Sequence, residues 1–85
     1  MKQPNIAVYG SKSCEDSVRT VKYLDDHQIP YEFKDVDATP EYQDYIASLN
    51  NGKQVTPTLQ IDNETFINPS ETDLAKSIEE AASAR

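Results

Sequence analysis

A single cysteine, Cys14, occurs in the 85 residues, which excludes an intrachain disulfide and a multi-cysteine metal site and points to a reducing cytoplasm. Basic residues are also scarce: 8 Lys and Arg stand against 15 Asp and Glu, a net charge of −7. With no local basic patch to override that field, nucleic acid and anionic membrane are poor partners. The start, Met1-Lys2-Gln3-Pro4-Asn5, leads into an apolar run too short for a signal peptide. Internal repeats, low-complexity tracts and linkers are absent. A chain of this length buries one modest core, so residues 1–85 read as one domain with its cleft on the surface. A monomer without a required cofactor or metal is expected.

What is present gathers around Ile6-Ala7-Val8-Tyr9-Gly10-Ser11-Lys12-Ser13-Cys14-Glu15-Asp16-Ser17. Ile6 to Tyr9 reads as a buried strand, and Gly10 to Ser13 as a loop of turn formers and a lysine. Val18, Val21 and Leu24 then recur at helical spacing, which puts Cys14 in the first turn of a helix. Free N–H groups and the positive end of the helix dipole favour a thiolate there. The same residues support a plainer reading: Ser13-Cys14-Glu15-Asp16 resembles a capping box with Ser13 as N-cap, and a lone cysteine is often a small buried hydrophobe. Glu15 and Asp16 oppose the dipole, and Lys12 offsets about one of them, so the thiolate is expected to be less favoured than beside uncharged neighbours.

The first helix should end near His27 or Gln28, ahead of Ile29-Pro30. Tyr31-Glu32-Phe33-Lys34-Asp35-Val36 alternates as a second strand, parallel to the first through a right-handed crossover. Thr39-Pro40-Glu41 opens a second helix, in which Tyr42, Tyr45, Ile46 and Leu49 share a face; Asn50-Asn51-Gly52 closes it. Thr58 to Ile61 and Glu64 to Ile67 are two antiparallel strands about an Asp62-Asn63 turn. Ser70 with Asp73 is a second capping box, and Leu74, Ile78, Ala81 and Ala82 mark the inner face of a terminal helix. The order βαβαββα implies an α/β fold with a four-stranded mixed sheet flanked by helices. Cys14 then lies at the carboxyl end of the first strand, where such sheets place ligands.

With a cysteine opening the first helix and Thr56-Pro57 opening the third strand, the chain resembles the glutaredoxins, within the thioredoxin-like fold, over nearly its whole length. The resemblance maps their Cys-x-x-Cys or Cys-x-x-Ser motif onto Cys14-Glu15-Asp16-Ser17 and implies that Pro57 is cis and faces the sulfur. Asn51-Gly52-Lys53-Gln54-Val55-Thr56-Pro57-Thr58 and Asn68-Pro69-Ser70 are most similar to a mycoredoxin-like branch. Ser17 in place of the second cysteine makes this either a monothiol form or a replaced resolving cysteine. Thr56 stands where valine is usual, Glu15 and Asp16 where proline, tyrosine or glycine are common. The Trp-Pro insertion of cluster-carrying monothiol forms and a Gly-Gly before the last helix are missing.

From that resemblance, Cys14 is the nucleophile. Ser17, one helical turn on, is a hydroxyl within reach of the sulfur or an ordinary helix serine. Lys12 and Gln54 would meet the glycine carboxylate of glutathione or a related thiol, with a solvated loop lysine as the competing view of Lys12. Thr56 ahead of Pro57 would pair its backbone with an extended ligand. Ser70 and the amides after it would take a γ-glutamyl carboxylate, or cap their helix and nothing more. His27 is read as a helix-end residue, and the five tyrosines as core and rim. Three functions follow: an oxidoreductase acting on mixed disulfides between thiolated or disulfide-containing proteins and glutathione or mycothiol, an iron–sulfur binder, or a redox-inactive interaction module.

Overall fold

The computed structural model describes residues 4–83; Met1, Lys2 and Gln3, part of the leader reading, lie outside them. Seven elements follow in the expected order: β1 (Ile6–Gly10), α1 (Glu15–Asp26), β2 (Glu32–Asp35), α2 (Pro40–Ser48), β3 (Thr58–Ile61), β4 (Glu64–Ile67) and α3 (Glu71–Ser83). The sheet order is β2-β1-β3-β4, with β1 parallel to β2 and antiparallel to β3, and β3 antiparallel to β4.

Alternation along β1 assigns the two faces of the sheet. Ile6 and Val8 join Leu24 of α1, Leu74 and Ile78 of α3, and Leu59 and Ile61 of β3 in the larger core. Ala7 and Tyr9 point the other way, to Val36 and to Ile46 and Tyr42 of α2. Tyr9 packs edge-on to Tyr42 and tilted to Tyr45, so three of the tyrosines are core and rim as expected. Asp62 takes the left-handed conformation the tight β3–β4 turn needs. No helix among the described residues is long and apolar enough to cross a membrane.

Two local expectations are corrected. The N-cap of α1 is Cys14 itself, not Ser13. Ser13 is drawn instead into the loop, where its N–H donates to the Ser11 hydroxyl and its own hydroxyl bonds the same oxygen. The buried stripe of α1 is also rotated: Ser17, Thr20 and Leu24 face the core, while Val18 is 50% exposed. Two small hydroxyl residues let the helix approach the sheet closely, and the larger valines flank that contact.

Candidate functional site

The strand register brings three segments together. Tyr9 pairs with Thr58, so the residues before β3 arrive beside the end of β1, and parallel β2 ends alongside. The Thr56-Pro57 bond is cis, as expected, and Pro57 is buried. Between these ends sits Cys14, partly buried, with its N–H donated to the Ser11 carbonyl at 3.1 Å. The thiol donates to the Thr56 carbonyl at 3.6 Å.

That contact with the carbonyl favours the neutral thiol, yet the net balance runs the other way. Hydrogen bonding from the Thr56 side chain holds the Cys14 pKa below its ordinary value. The Ser17 backbone N–H and hydroxyl and the Asp16 backbone N–H act in the same sense, against burial. Hydrogen bonds rather than neighbouring charges set the direction. The Asp16 carboxylate, expected to oppose the anion, is engaged by Arg19 at 3.0 Å and by the Asn68 amide at 3.2 Å.

Ser17 is 1% exposed, and its Oγ accepts the Ser11 N–H at 3.2 Å. Gly10 makes that approach possible: a Cβ there would lie 2.7 Å from Ser17 Oγ and 3.0 Å from Ser17 Cβ. Ser70 caps α3, its Oγ accepting the Asp73 N–H at 3.2 Å. Lys12 and Gln54 are exposed, and their side chains make no hydrogen bond or ion pair with any of the described residues. Lys12 lines a hollow of about 320 Å³ with Ser11, Ser17, Val18, Val21, Tyr31 and Phe33, on the α1–β2 side of the loop. Thus Cys14, Ser17, Thr56 and Pro57 form one constellation; Lys12 shares its hollow with Ser17, while Gln54 and Ser70 make no hydrogen bond to any of the four. His27 lies at the far end of α1, stacked on Tyr23 and bonded to its carbonyl. Among the described residues no group of three or more His, Cys, Asp and Glu is placed to hold a metal ion.

The sequence of this constellation agrees with its shape: the family model for glutaredoxin matches residues 6–67, from β1 through β4. The chain belongs to the glutaredoxin family. The glutaredoxin crystal structure from Archaeoglobus fulgidus superposes with a TM-score of 0.76 at 17% identity, covering 89% of this chain and 86% of that one. A point mutant of a thioredoxin-like protein superposes at 0.73 with 22% identity, covering 95% and 99%. At these identities the likeness establishes the thioredoxin-like fold. A comparison with curated protein sequences returned no match.

Three residues of this glutaredoxin site were not singled out from the sequence. Ser11 is 8% exposed and joins the loop to everything around it. Asp37 receives the Ser11 hydroxyl at 2.5 Å. Asn68, in the left-handed conformation, donates its N–H to the Pro57 carbonyl and its amide to Asp16. Asp37 was the most readable, because an acid just beyond a parallel strand lies beside the loop leaving its neighbour.

Proposed function

We propose that this glutaredoxin reduces mixed disulfides between proteins and a low-molecular-weight thiol, glutathione or mycothiol, through Cys14 alone. The single observation carrying the reading is the partly buried thiol at a helix start, with its pKa lowered by Thr56 and Ser17. The Cys14 thiolate attacks the small thiol's sulfur, forming a Cys14–small-thiol disulfide and releasing the protein thiolate, which takes up a proton. A second small thiolate attacks the bound thiol's sulfur, giving the symmetrical small-molecule disulfide and regenerating the Cys14 thiolate. Ser17 stabilises the anion and forms no bond to sulfur, so every turnover depends on that second thiol.

In this reading the backbone of Thr56 beside Pro57 holds the extended ligand. Lys12 and Gln54, whose side chains have no competing partners among the described residues, take its carboxylate after a side-chain rotation. At α3, Ser70 already occupies one amide and leaves those of Glu71 and Thr72 for a γ-glutamyl carboxylate. The test is reduction of a glutathionylated or mycothiolated peptide by wild type and Cys14→Ser, with the small thiol varied. The expected result is a rate that rises with thiol concentration and vanishes in the variant. Equal rates in the two proteins would return the chain to an interaction module.

A further inference from the structure

The loop before Cys14 is held from a direction the proposed chemistry does not use. Ser11 engages five groups: its N–H donates to Ser17 Oγ at 3.2 Å, its carbonyl accepts the Cys14 N–H at 3.1 Å, and its hydroxyl donates to Asp37 Oδ2 at 2.5 Å while accepting the Ser13 N–H at 3.2 Å and the Ser13 hydroxyl at 2.9 Å. Asp37 is itself fixed. Its N–H donates to Asp35 Oδ1 at 2.9 Å, and the preceding Val36 N–H donates to the Gly10 carbonyl at 3.0 Å.

A serine hydroxyl has one proton and two lone pairs. With the Ser11 N–H on a lone pair of Ser17, the Ser17 proton is left for another acceptor, and the Cys14 sulfur lies one helical turn away. We propose that Asp37 is a positioning residue: by clasping the Ser11 hydroxyl it fixes the Ser11 N–H against Ser17 and thereby directs the Ser17 hydroxyl proton to Cys14 Sγ. The clasp spans 26 residues of chain and is charge-assisted, which makes it stronger than a neutral hydroxyl pair. It rests on Cys14 being the reactive group of the proposed function.

A carboxylate could also act on the sulfur simply as a charge, and the two roles have opposite signs. Removing a nearby negative charge favours the thiolate; removing a positioning contact disfavours it. The other charged groups in the segments around Cys14 are Lys12, Glu15, Asp16 with its partner Arg19, Asp35 and Lys53, and all are retained in the variants used.

The experiment measures the pH midpoint of Cys14 alkylation by iodoacetamide for wild type, Asp37→Ala, Asp37→Asn, Ser11→Ala, Ser17→Ala and the Ser17→Ala/Asp37→Ala pair, with thermal unfolding recorded for each. Asp37→Ala and Ser11→Ala are expected to raise the midpoint by about 0.4–1 pH unit, the worth of one hydrogen bond to the anion. Asp37→Asn, which keeps an oxygen acceptor for Ser11, is expected to restore most of the shift, and Asp37→Ala should add nothing once Ser17 is alanine. A fall or no change in Asp37→Ala overturns the proposal, as does an equal rise with and without the Ser17 hydroxyl. If Asp37→Ala does not fold, Ser11→Ala answers the same question from the other side of the bond. Peptide reduction that proceeds while the midpoints coincide would sink only the clasp; shifted midpoints without turnover would sink only the proposed function.

Discussion

The starts of α1 and α3 treat their free amides differently. At the start of α3, Ser70 lies just outside the helix and its hydroxyl takes the Asp73 N–H, an ordinary internal cap. At the start of α1 the capping position is Cys14, with no side-chain cap bond, and the Ser17 and Asp16 amides favour the thiolate instead. Ionisation of the thiol strengthens its bonds to those donors. A helix capped by serine has the same charge at every pH near neutrality, while one capped by cysteine couples its first turn to proton loss. That difference separates a structural helix start from a reactive one.

Four variants sharpen the contrast, taken from the largest expected effect. Gly10→Ala presses a methyl group onto Ser17, a short buried side chain with nowhere to go, and should cost about 1–3 kcal/mol in denaturant unfolding. Ser17→Ala leaves the buried Ser11 N–H without its partner, about 1–2 kcal/mol, and should also raise the alkylation midpoint of Cys14. Ser70→Ala should cost about 1 kcal/mol as a lost cap while leaving the midpoint in place; a shift comparable to that of Ser17→Ala would mean that the two helix starts are not distinct. Replacing Glu15 and Asp16 together with Gln and Asn should lower the midpoint by less than Ser17→Ala raises it, since exposed charges are screened and Asp16 already has partners. A larger fall would restore charge as the dominant influence.

Much of this was legible in the residues. Thr58 to Ile61 and Glu64 to Ile67 were read at their observed bounds, because the Asp62-Asn63 turn and the Asn68-Pro69 break punctuate short apolar runs clearly. The rotation of α1 was not: apolar spacing favoured Val18, and nothing local announces that Ser17 and Thr20 are the residues small enough to sit against the sheet. At the site, Cys14, Ser17 and Pro57 could be placed because motif and strand order suffice for them. The Ser11–Asp37 and Asn68–Asp16 bonds could not, since each joins residues 26 or 52 positions apart and depends on the register of the finished sheet. The hollow that Lys12 lines together with Ser11 and Ser17 was likewise not readable from the sequence, since it too depends on how α1 and β2 come together.

The central claim is that folding itself lowers the Cys14 pKa, which fixes the sign of a linkage. A depressed native pKa stabilises the fold above the unfolded thiol's pKa, and that contribution fades as pH falls through the native value. The most direct test is the pH dependence of Cys14 alkylation in the native protein and in the same protein unfolded in urea. The native midpoint should lie below the unfolded one, and wild type should gain stability over Cys14→Ala as pH rises through the interval between them. A native midpoint equal to or above the unfolded value would contradict the account.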